Sequence, residues 1–134
     1  MYLSELNIGE KKNFLELAKH AMGLNGEHKV EEQTIYQSFV QECSLESHPL
    51  SKQDSIDSVI KVLTKSKGKS KRIVLLELFG ILLADGEVCK EESDFMEQIS
   101  DAFSVDSYEA KKIQRWVTAM NDMVTEGYAM INKD

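Results

Sequence analysis

Proline occurs once in this chain of 134 residues, and glycine only seven times. So few breakers leave long helices available and argue against disorder. Cysteine is nearly as scarce: Cys43 and Cys89 stand alone, without paired spacing. That excludes a disulfide framework and reads as a reduced, cytoplasmic protein. Basic residues are outnumbered, 16 Lys and Arg against 23 Asp and Glu, for a net charge of -7. Sequence-independent nucleic-acid binding needs a basic surface, so it is excluded.

Long apolar runs are missing too. The most apolar stretch, 73–84, contains Glu77 and is too short to cross a bilayer. Met1 to Glu10 has neither the basic start nor the apolar core of a signal peptide, so none is expected. His20, His28 and His48 have no i, i+4 relation and no cysteine pair beside them, which rules out a zinc site of ordinary spacing. No glycine-rich phosphate loop, nucleophile elbow or Ser-His-Asp order can be read. A non-enzymatic protein is the expectation.

What is present is a 42% hydrophobic content in helical periods, enough for one core, and no strand pattern. The expectation is an all-α single domain, 1–134, built as a bundle of six to seven helices. Asn7 and Glu10 form a capping pattern before a first helix, to about Leu24. A second spans about Val30 to Cys43, and a third ends near Thr64 after the His48-Pro49 loop. The fourth ends at Leu83 and is apolar on nearly all sides, so it belongs at the centre. Gly80 within it would let a neighbouring helix approach closely. A fifth covers Lys90 to Phe103. The sixth runs from Ser107 toward Ile131, with Ile113, Trp116, Val117, Met120, Val124 and Ile131 as a broad seam.

The pattern repeats at sixty residues. Phe14, Leu15, Ala18, Ala21 and Met22 fall against Val74, Leu75, Leu78, Ile81 and Leu82; Ile35, Tyr36, Phe39 and Cys43 fall against Phe95, Met96, Ile99 and Phe103. A duplicated helix-loop-helix unit is the simplest source, with half-repeats at about 10–64 and 70–131 and a pseudo-twofold relation between them. The basic run 65–72 reads as the linker. It holds five of the sixteen Lys and Arg residues, and is also the place for a peripheral contact with an anionic membrane.

Each half carries an acidic corner between helices: Asn25-Gly26-Glu27 leading to Glu31 and Glu32, and Asp85-Gly86-Glu87 leading to Glu91 and Glu92. The spacing matches the second half of an EF-hand loop. The first half is absent, because Ile81 and Leu83, or Ala21 and Gly23, stand where oxygen ligands are needed. An EF-hand is rejected. Two readings stay open: a divalent-cation site completed by water, or acidic first turns that complement the helix dipole.

The stretch 75–92, with its Ala84-Asp-Gly-Glu-Val88 corner and Glu92, resembles the signature of the TerB-like, tellurite-resistance-associated domains, and 18–32 resembles their other half. The resemblance covers about 10–120. It implies an all-helical, pseudo-twofold, non-catalytic module associated with stress responses, whose corner carboxylates hold metal, and which works beside partner proteins. Carried across, the metal residues are Asp85, Glu92 and Glu32, with Asn25 in place of the usual Asp. The cation, the protein partner and the oligomeric state are not given by the sequence. The alternative is a metal-free interaction scaffold whose corners only cap helices.

Overall fold

The structure is a computed structural model that describes residues 1–24, 30–46, 55–84 and 88–133. The His48-Pro49 loop lies outside the described residues, as do Asn25 and Asp85. Among the described residues, six α-helices follow a 3-10 turn at Leu3–Glu5: α1 (Ile8–Met22), α2 (Val30–Glu42), α3 (Ile56–Leu63), α4 (Gly68–Leu82), α5 (Lys90–Ala102) and α6 (Ser107–Ile131). No strand occurs among the described residues, so the all-α expectation holds.

Local chemistry sets the helix starts. Asn7 accepts the Glu10 N–H at 2.8 Å while Glu10 accepts the Asn7 N–H at 2.9 Å, the reciprocal capping box the sequence foretold. Ser55 caps α3, and Asp106 accepts the Glu109 N–H at 2.8 Å to start α6.

Helix lengths and endings keep to the sixty-residue spacing. α1 and α4 are both 15 residues long, and α2 and α5 both 13. Each second helix ends alike, with Ser44 and Ser104 both at φ 57°. The next residue bonds back into the helix each time, Leu45 N–H to the Val40 carbonyl and Val105 N–H to the Ser100 carbonyl. This is a Schellman ending with serine in the left-handed position usually held by glycine.

As expected, α4 lies at the centre, touching α1, α2, α5 and α6 as well as the 3-10 turn. Val74, Leu75, Leu78, Ile81 and Leu82 are fully buried along it. They meet Phe14, Leu15, Leu17 and Ala18 of α1, Phe95 and Ile99 of α5, and Val117 of α6 in one core. Phe14 and Phe39 pack edge to face at 5.3 Å and lock α1 to α2. Leu3 and Leu6 are buried as well and anchor the amino-terminal segment to the core, which its composition did not announce.

Three sequence expectations need correction. Among the described residues nothing lies within 4 Å of a Cβ built on Gly80, so this glycine does not admit a close helix there. The basic run is not all linker: residues 68–72 form the first turns of α4. On α6 only Val117 is buried, whereas Val124 and Ile131 stand in solvent and Trp116 is 42% exposed. The seam covers the first half of that helix alone.

Candidate functional site

Both acidic corners deliver a glutamate to the third position of the following helix, Glu32 in α2 and Glu92 in α5. Both side chains are buried, at 1% and 2% exposure. Charged side chains are seldom buried so fully, because desolvation costs several kcal/mol unless bonds or an ion compensate. Position three places the side chain one turn into the helix, facing back toward its start.

Part of that compensation is visible at Glu92. Its Oε1 accepts the Cys89 N–H at 3.0 Å, satisfying one of the open amides at the start of α5. Cys89, the N-cap, is an unusual choice, and the carboxylate three residues on supplies the reciprocal bond. A carboxylate has about four acceptor positions, and this bond uses one.

The remaining acids of the second corner differ from it. Among the described residues, Glu91 and Asp94 are exposed whereas Glu92 is buried. Hydrogen bonds from a backbone N–H at the helix start and from the Cys89 thiol hold Glu91 below the usual carboxylate range. The Cys89 thiol is pushed up, first by desolvation and then by the Glu92 and Glu91 carboxylates. That makes it a poor nucleophile.

Asp85 and Asn25, the other two residues assigned to metal, lie outside the described residues, so only Glu32 and Glu92 of the four are placed. Among the described residues no group of three or more His, Cys, Asp or Glu side chains is arranged to hold a metal ion. Buried carboxylate oxygens are the donor type a hard cation takes, and in this respect the residues fit one.

Elsewhere, the charged groups are largely engaged within the fold. Lys69 Nζ meets Glu5 at 2.6 Å, Arg72 pairs with Glu109 of α6, and Lys71 donates to the Thr64 carbonyl at 3.4 Å. Burial would raise the Glu10 carboxyl, but bonds from Ser66, the Asn7 N–H and Ser70, with Lys67 nearby, leave it lowered. Thus 65–72 spends much of its charge internally. No described helix is long and apolar enough to cross a membrane. His20 sits at the edge of α1 with its ring 5.0 Å from Phe95.

One charged site had no counterpart in the sequence reading. Glu77, buried in mid-α4, accepts from the Met1 ammonium at 2.9 Å, and the same ammonium lies 2.6 Å from Glu42. Burial, its largest influence, leaves Glu77 above the ordinary carboxylate range despite that cation. The signal available was a single acid inside an apolar helix; its partners are remote in sequence.

Against known proteins, the family model described as "Tellurite resistance protein TerB" matches residues 5–115. Neither curated proteins nor solved structures give a match.

Proposed function

We propose, from the premise that this chain belongs to the TerB family, that it is a non-enzymatic helical binding module of a stress response whose acidic corners take a divalent cation. Glu92 and Asp85 would supply oxygens in the second corner, Glu32 and Asn25 in the first, with water completing each shell. The observation that carries the reading is the burial of the same third-position glutamate in both halves. Two caps could have been made at the surface, as Glu10 makes its own on α1. Drawing a carboxylate into the core is costly and is offset when a cation shares it. The halves are read as duplicates related by a pseudo-twofold, each keeping its corner. Bound metal would hold together acids that repel one another and stiffen the joints between α1 and α2 and between α4 and α5. A protein partner would read that stiffened surface.

The Glu92–Cys89 bond favours a second reading, in which the corners only start helices and the module is a metal-free scaffold. Glu92→Gln separates the two. Glutamine keeps an oxygen for the Cys89 N–H and so preserves the cap, while it removes the charge a cation needs. On the metal reading, millimolar calcium, magnesium, manganese or zinc raises the melting temperature of the parent protein more than that of Glu92→Gln, which keeps only the weaker first corner. Saturation at 100-fold over the dissociation constant corresponds to about 2.7 kcal/mol. Equal melting of both proteins, with and without each ion, would leave the scaffold reading standing.

A further inference from the structure

Helix α6 outruns the body it packs on. Its first half lies on α4 through Ala110, Ile113 and Val117, and the Asn121 side chain reaches the Leu83 carbonyl at 3.5 Å where α4 ends. The helix then continues to Ile131. Over this second half Met123, Val124, Tyr128, Met130 and Ile131 are each more than half exposed. On a helical wheel they share one arc, roughly 160° wide, and Asp122 and Glu126 fall outside it. An amphipathic helix end of this kind has an apolar face made to be covered.

A surface suited to it exists on the same molecule. Between α4, α6 and the amino-terminal segment runs an open groove of about 700 Å³, floored by Tyr2, Ile73, Leu76, Ile113 and Trp116. Lys69, Arg72 and Lys112 stand on its rim; Glu5 and Glu109 stand there too, but are already paired with Lys69 and Arg72. Lys112 and Arg115 are exposed and form no ion pair among the described residues. The groove is therefore apolar with surplus positive charge on a molecule of net charge -7.

We infer that the occupant of this groove is the α6 end of a second copy, exchanged reciprocally across a twofold axis. The chain's own α6 end cannot enter, because groove and end lie on one continuous helix of 25 residues, about 37 Å long. The charges along α6 fix the direction. Lys111, Lys112 and Arg115 occupy the first half, and Asp122 and Glu126 the second. Antiparallel pairing that crosses near Met120 sets Arg115 of one copy against Glu126 of the other, on matching flanks; parallel pairing sets like against like. The contact is isologous, so it closes at two copies.

The test is sedimentation velocity on the full chain from about 10 μM to 1 mM, a span that covers weak to moderate dimers. The expected species has twice the 15.2 kDa chain mass. Arg115→Glu and Glu126→Arg should each weaken it at least tenfold, and the two together should restore it. Both sites are exposed on a helix surface, and circular dichroism checks that each variant keeps its helix content. A monomer throughout the range overturns the inference. So does a dimer indifferent to both reversals.

Discussion

Ser44 and Ser104 hold φ 57°, a region where a side chain meets its own backbone and glycine does not. Both are residues that the helix-stop signals of the sequence passed over, since those look for glycine or asparagine. Ser104→Gly is expected to stabilise the protein by about 0.5–1 kcal/mol, read from urea unfolding, because relief of left-handed strain exceeds the entropy glycine adds to the unfolded chain. Glu77 gives a pH dependence. Burial tends to lower the Met1 ammonium, but its bonds to Glu42 and Glu77 outweigh this and leave it raised. Its stabilising share is therefore complete below the ordinary α-amine value and lost as pH climbs through the raised one. Above that, Glu77 is left charged in the core without its cation. Between about pH 7 and about pH 10 the melting temperature should fall further for the parent than for Glu77→Gln. An equal fall in both would remove Glu77 from the account.

At the scale of the element, the apolar periods and the capping pattern located helix ends to within a few residues, and the repeat at sixty paired α1 with α4 and α2 with α5. Periodicity reports which face of a helix is apolar; it does not report what covers that face. For this reason α4, flanked on all sides, read correctly, while Trp116, Val124 and Ile131 of α6 read as core and stand in solvent. The run 65–72 shows the same limit. Its charges suggested a solvated linker, but Glu5 and Glu109, remote in sequence, neutralise Lys69 and Arg72 and let α4 start at Gly68. Gly80 makes the point quantitatively. With open space where its Cβ would stand, Gly80→Ala should gain about 0.5–1 kcal/mol in unfolding free energy from helix propensity alone. A loss would mean that α4 has a close neighbour there.

The whole molecule is one core of helices with a charged feature at each margin: two corners that bury a glutamate, an amino-terminal segment tied to Glu77, and an α6 that overreaches the body. The corner glutamates were legible because they recur at fixed distance from Asp-Gly or Asn-Gly. Their burial was not, since acidic first turns usually face water. On the proposed reading, that burial marks a corner that takes a cation rather than an ordinary helix start, and this is the central claim. A two-dimensional amide NMR titration of metal-stripped protein with calcium, magnesium, manganese and zinc tests it most directly. The account predicts saturable changes at 85–92, with 25–32 responding as the weaker corner for want of an Asp at position 25. Flat spectra up to about millimolar ion, the weak end of protein calcium sites, would contradict it.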